Sequence, residues 1–157
     1  LESKQNFIFC GATGNSEYVY YVIAYKDWDP DKAKNVTMYM YKANVMTGKV
    51  VKEAQLPTGP NDLNVWYFNS CVLVLSGNRI GMIITRTMTI GEDGVNHQGG
   101  LAAVFDTDSL KMVKNHGQTT GHDFATSLLR RSDGMFMGMD LGDKFPKGVN
   151  CWNFDDK

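Results

Sequence analysis

A chain of 157 residues with 43% hydrophobic content is long enough for one domain with its own core and too apolar for a disordered segment. Its formal charge is −1, with no block of one sign, so it lacks the basic stripe that a nucleic-acid groove or an anionic membrane surface would select. No apolar run approaches the ~20 residues of a bilayer-spanning helix.

Residues 1–6 (LESKQN) are polar and read as an entry segment. A start at Leu1 with no charged-then-apolar leader reads as a processed product or a piece of a longer chain. Residues 7–10 predict a short strand and residues 11–17 a turn. Residues 18–26 (YVYYVIAYK) are rich in Tyr, Val and Ile, which favour strands. A polar loop with Pro30 follows over 27–34. Residues 36–42 (VTMYMYK) predict a strand, 44–49 a turn around Gly48, and 50–56 a strand that closes the first unit. The breaker cluster Pro57-Thr58-Gly59-Pro60-Asn61-Asp62 is the clearest boundary in the chain.

The second unit opens with a strand over 63–68 (LNVWYF). Strands over 71–75 and 80–88 flank the turn Ser76-Gly77-Asn78-Arg79. Residues 90–100 (IGEDGVNHQGG) hold four glycines and read as a loop. A strand over 101–105, a turn over 106–109 and a short strand over 110–113 complete the unit, and 115–121 reads as a linker. The third unit starts at His122. It contains two apolar runs, 127–131 and 135–141, on either side of Asp133-Gly134. That dipeptide is a hairpin signal, because Gly accepts the positive φ of a tight turn. The run HDFATSLLRR would also accept a helical turn with Asp123 as its N-cap. It aligns with 70–75, so strand is the preferred reading. The unit stops soon after a last segment over 151–154.

These units repeat. Val22-Ile23-Ala24-Tyr25 aligns with Ile83-Ile84-Thr85-Arg86 at an offset of 61, and Met40-Tyr41-Lys42 with Val104-Phe105-Asp106 at 64. Met82-Ile83-Ile84 aligns with Gly138-Met139-Asp140 at 56. The repeat units span roughly 7–56, 63–114 and 122–157. A unit of four antiparallel strands and about 60 residues matches a propeller blade. The expected fold is therefore all-β and β-propeller-like, with about two and a half blades present where a closed ring takes about four to eight. A small β-sandwich or barrel is the alternative. The three cysteines, Cys10, Cys71 and Cys151, cannot all pair within the chain. One disulfide with one free thiol and three free thiols both remain open. Cys10 and Cys71 fall on related strands, where free Cys behaves as a small core hydrophobe. Asn35-Val36-Thr37 is a glycosylation acceptor pattern if the chain is secreted.

The runs NHQGGLAAVFDTDSLKMVKN, GQTTGHDFATSLL and DGMFMGMDLGDKFPKGV resemble repeats of β-propeller proteins from bacterial and protist surface or secreted chains. Those repeats carry a His-Gln-Gly or Ser-His-Ser-Phe-like loop and an Asp-Leu-Gly-Asp-x-Tyr-Pro-Arg-Gly-like tail. Here the tail reads Asp140-Leu141-Gly142-Asp143-Lys144-Phe145-Pro146-Lys147-Gly148, with Phe for Tyr and Lys for Arg. The resemblance covers about residues 63–150 well and the first unit weakly. It implies a propeller architecture and an extracellular or cell-surface setting, and it implies no catalytic residues.

The polar residues with chemistry to offer cluster where loops are expected. His97, Gln98, His122, Asp123, Asp140 and Asp143 are the candidate ligand-binding set. The histidines at 97, 116 and 122 lack the spacing that sets two imidazoles on one side of a metal. Hydrogen bonds that lock loop backbone are the plainer role for them. Asp106 and Asp108 offer two carboxylates to calcium, the one cofactor candidate, without the acidic ladder of an EF-hand. Asp at the start of a turn also bonds its own backbone. The chain has no Gly-x-Ser-x-Gly elbow, no Cys–His signature and no phosphate loop. Trp28, Trp66, Tyr67, Phe68 and Trp152 could stack on sugar rings, but blade packing is the plainer role. The expected function is a non-catalytic binding or structural module acting in adhesion, assembly or ligand binding. Its expected partners are another protein, further segments of the same polypeptide that complete the sheet array, or carbohydrate. The alternative is a propeller-type carbohydrate hydrolase or lyase. That requires two or more of His97, His122, Asp123, Asp140 and Asp143 to converge.

Overall fold

Stretches rich in Tyr, Val, Ile and Met, punctuated by short glycine turns, favour antiparallel hairpins over any helix. A computed structural model of the chain describes residues 7–26, 36–58, 71–90, 96–121, 123–142 and 148–156. They form eleven strands in three sheets. The first sheet runs β1 (Phe7–Gly14), β2 (Tyr18–Lys26), β3 (Val36–Asn44) and β4 (Val50–Gln55). The second runs β5 (Cys71–Ser76), β6 (Arg79–Ile90), β7 (Asn96–Asp106) and β8 (Met112–Gly121). The third holds β9 (Asp123–Arg130), β10 (Phe136–Gly142) and β11 (Gly148–Phe154). Within each sheet every strand pairs antiparallel with its neighbour in sequence. The fold is all-β, and the described strands close into neither a barrel nor a ring.

The sheets stack in chain order. Between the first and second lies one apolar layer: Tyr20, Val22, Ala24, Met38 and Met40 on one side, and Leu73, Ile80, Met82, Ile84, Leu101, Ala103 and Phe105 on the other. A second layer joins Ile83, Ala102 and Val104 of the second sheet to Leu128, Phe136 and Phe154 of the third. The second sheet is thus covered on both faces, which is why β6 and β7 read as near-continuous apolar runs instead of alternating ones. The first strands gather where the sheets meet, β1 against β5 and β5 against β9.

The repeat offsets survive in this packing. Val22 and Ile83, paired at 61, each face the following sheet, as do Met40 and Val104, paired at 64. Met82 and Gly138, paired at 56, each face the preceding sheet. The middle strands of the second and third sheets also meet in a fixed register. A Cβ at Gly81 would lie 2.6 Å from the ring of Phe136, and one at Gly138 would lie 2.5 Å from Ile83 Cδ1. Both contacts have a sequence separation of 55, so β6 and β10 run parallel across the interface.

Several boundaries differ from the local reading. Residues 11–14 continue β1 past a bulge between Phe9 and Gly11. Residues 96–100 are strand, not loop. Gly99 and Gly100 pair with Arg86 and Thr85 on one side and with Gly121 and Thr120 on the other. Pairing with a strand on each side outweighs the low strand propensity of glycine there. Residues 115–121 likewise belong to β8, with register shifts along the β7 pairing. Leu110 is not in a strand. It takes φ 59 with its side chain fully buried, because the turn anchored by Asp106 extends to the Leu110 N–H. The strand expected over 63–68, the loop over 27–34 and Asn35 lie outside the described residues.

Candidate functional site

Antiparallel meanders put alternate strand ends at one end of the stack. Gln98 pairs with Thr87, Gly99 with Gly121, and Asp123 with Gly142. The start of β7, which carries His97 and Gln98, therefore lies beside the end of β8. The start of β9, which carries Asp123, lies beside the end of β10. Three of the six candidate residues are strand residues at this upper end, not loop residues. His122 and Asp143 lie outside the described residues.

Asp140 lies on the face of β10 that meets the second sheet. Its register partners are Thr126 on β9 and Asn150 on β11. It is 3% exposed, and its Oδ1 accepts a hydrogen bond from Asn150 Nδ2 at 3.0 Å. A carboxylate is tolerated at such depth only when hydrogen-bonded. The separation of 55 that joins Gly81 to Phe136 and Ile83 to Gly138 sets Thr85 opposite Asp140, and Thr85 is itself buried. Nothing in the local pattern marks Thr85, Thr126 or Asn150 as partners of Asp140. Only the β9-β10-β11 register and the sheet stacking bring them together. Trp152 stands on the same face of β11 as Asn150, over Gly138, and its Nε1 is buried with no acceptor among the described residues. The upper part of this interface thus holds a buried, hydrogen-bonded carboxylate and a buried indole N–H between two sheets, next to the strand ends that carry Gln98 and Asp123.

The lower end of the stack has a different chemistry. Asp106 is the hub. Its Oδ1 accepts from the Asp108 and Ser109 backbone N–H groups at 3.1 and 2.8 Å and from Ser109 Oγ at 2.9 Å, while Oδ2 accepts from Arg79 at 2.8 Å. The Ser109 backbone N–H, helped by the Ser109 hydroxyl, the Asp108 N–H and Arg79, holds the Asp106 carboxyl below its ordinary range against the opposing pull of desolvation. Arg79 also reaches Asp156 at 2.8 Å, tying the second sheet to the chain after β11. Asp108 is largely exposed and pairs with Lys42 at 3.1 Å, and Lys42 lies 4.3 Å from the centroid of the Tyr18 ring. The two calcium candidates are thus engaged by Arg79 and Lys42 respectively, at the end opposite the ligand candidates. His116 sits within β8, not in a linker. Its Nε2 lies 2.7 Å from the Asp155 carbonyl oxygen, and its ring meets Phe154 edge-on. Among the described residues no three His, Cys, Asp or Glu side chains gather as a metal-ligand set.

All three cysteines are free thiols. Cys10 and Cys71 enter the same core layer between the first two sheets. Burial pushes the Cys10 thiol up to about 12 and the Cys71 thiol well above its ordinary range. Cys151 is exposed on β11. No helix among the described residues is long and apolar enough to cross a membrane. No protein-family model matches the chain, and no curated protein matches it.

Proposed function

We propose that the chain is a non-catalytic, propeller-type binding or structural module that works at the cell surface or outside the cell. The observation that supports this most is the stacking of consecutive meander sheets in chain order, with their first strands gathered where the sheets meet. Radial sheet arrays have that arrangement, and they use the loops and strand ends at one end of the array for recognition. The tail 140–148 and the run through His97 and Gln98 add the resemblance to surface and secreted repeats. The upper strand ends form the ligand side, with Asp140 buried beneath them and carbohydrate as the ligand class. The residue types at those strand ends, His97, Gln98 and Asp123, supply both donors and acceptors for carbohydrate hydroxyls.

The test is incubation of the chain with an oligosaccharide panel, read by native mass spectrometry for complexes and by product mass for turnover. A complex that Asp123→Ala or His97→Ala weakens at least tenfold, with no product formed, supports the proposal. Cleaved product would refute the non-catalytic reading in favour of a hydrolase or lyase. Binding indifferent to both substitutions would remove the ligand side from the upper strand ends.

A further inference from the structure

Two of the three cysteines occupy equivalent positions of successive repeats. Cys10 and Cys71 lie 61 positions apart, the offset that relates Val22 to Ile83. Cys71 pairs with Ile84 on β6. Ile23, the equivalent of Ile84, flanks the bulge in β1 that holds Cys10. The ladder steps from Phe9 opposite Ile23 to Gly11 opposite Val22, so Cys10 is the extra residue of that bulge. A bulge re-aims the side chain it carries. Here the Cys10 side chain enters the apolar layer between the first and second sheets and is 5% exposed.

The strands that carry the two thiols also approach closely. β1 packs on β5 where the first two sheets meet. A Cβ at Gly11 would lie 2.8 Å from the Cys71 carbonyl oxygen and 2.8 Å from Leu73 Cδ1. Any side chain there would hold β1 away from β5, so the glycine beside Cys10 permits the close approach at the level of Cys71. Cys71 packs against the same layer as Cys10. Burial first, and the neighbouring Cys10 second, raise the Cys71 thiol well above its ordinary range. Cys151 stands on the third sheet and is exposed.

We infer that Cys10 and Cys71 form a disulfide that clamps the first sheet to the second when a small-molecule disulfide supplies the oxidising equivalents. One cysteine thiolate attacks a sulfur of the oxidant, whose S–S bond breaks as one small thiolate leaves. The other cysteine thiolate then attacks the protein sulfur of the mixed disulfide and expels the second small thiolate. The two cysteines lose two electrons and two protons, and the oxidant is reduced to two thiols. Burial shields both thiols once the sheets have closed, so the exchange belongs to the folding chain, as β1 meets β5. The bond ties the ends of a loop that contains β2, β3 and β4.

Refolding of the full chain from urea in a buffer of oxidised and reduced glutathione tests this, read by peptide mapping without reduction. In urea, loop-closure statistics alone give Cys10–Cys71 about half of the internal pairs. On refolding, that pair is expected to exceed each alternative by about tenfold or more, because native packing raises the effective concentration of one thiol at the other. Dithiothreitol is then expected to lower the urea midpoint of the refolded chain by about 1–2 M. In Cys71→Ala, which cannot make the bond, dithiothreitol is expected to leave the midpoint unmoved. If that variant does not fold, the cross-linked peptide and the midpoint of the unsubstituted chain decide. If refolding from urea fails, native chain held in the same buffer with mildly destabilising urea gives the same two readouts. Pairing that stays at the proportions found in urea, a folded chain with Cys10 and Cys71 still reduced, or a midpoint indifferent to dithiothreitol would each overturn the inference.

Discussion

Gly81→Ala tests the contact between the second and third sheets by the sign of its effect. Gly81 has no positive φ, so alanine is conformationally acceptable there. In an open strand position the exchange would stabilise by about 0.5–1 kcal/mol, through the lower entropy of the unfolded chain and better strand propensity. Here the new Cβ would lie 2.6–2.8 Å from three ring atoms of Phe136. That ring is boxed in, 2% exposed and 5.5 Å from the Phe154 ring centroid. Overpacking of this kind costs about 1–3 kcal/mol, so the net expectation is destabilisation by about 1–2 kcal/mol. Phe136→Ala alone should cost about 3–5 kcal/mol through lost burial and the cavity it leaves. In the double variant the added methyl enters space the ring has vacated. The combined loss should then fall short of the sum by about 1–2 kcal/mol. Urea unfolding followed by tryptophan fluorescence measures all three, with stability read from the midpoint at unchanged m-value. A neutral or stabilising Gly81→Ala, or additivity within about 0.5 kcal/mol, would refute the register that joins β6 to β10.

Asp140→Ala should destabilise by about 0.5–1.5 kcal/mol, because it removes the hydrogen bond from Asn150, whose exposed amide then turns to water; the same urea titration checks it. The Asp106 carboxyl is held low in the folded chain, so its contribution is present above the ordinary carboxylate pKa and is lost as pH falls through the lower folded value. Asp106→Asn should therefore flatten the acid limb of stability against pH below about 3.8, which thermal unfolding across pH 2–5 would detect. Iodoacetamide at neutral pH should label Cys151 within minutes and spare Cys10 and Cys71 until the chain is unfolded. Peptide mass mapping would contradict the burial of the two inner thiols if all three were labelled together.

Local chemistry was enough to place the hairpins. Gly48, Gly77 and Gly134 all take positive φ at turns that the dipeptides and glycines announce. The offsets of 61, 64 and 56 identified equivalent residues because a repeat reuses the same inward and outward alternation. Local chemistry failed where the partner strand decides. Gly99 and Gly100 look like loop residues until β6 and β8 are set on either side of them. Asp140 looks like a surface turn carboxylate, because its burial depends on the second sheet, which starts far upstream at Cys71.

By itself the sequence determined an all-β chain, the glycine turns at Gly48, Gly77 and Gly134, and the alternation that relates equivalent strands. These follow from φ preferences and from a side-chain period of two, and both are properties of neighbouring residues. Tertiary structure alone decided that each sheet packs on the next and that Thr85 lies opposite Asp140 across the second and third sheets. The physical reason is that a strand's two faces are chemically similar wherever both are apolar. Only the position of a sheet in the stack determines which face is buried and by what.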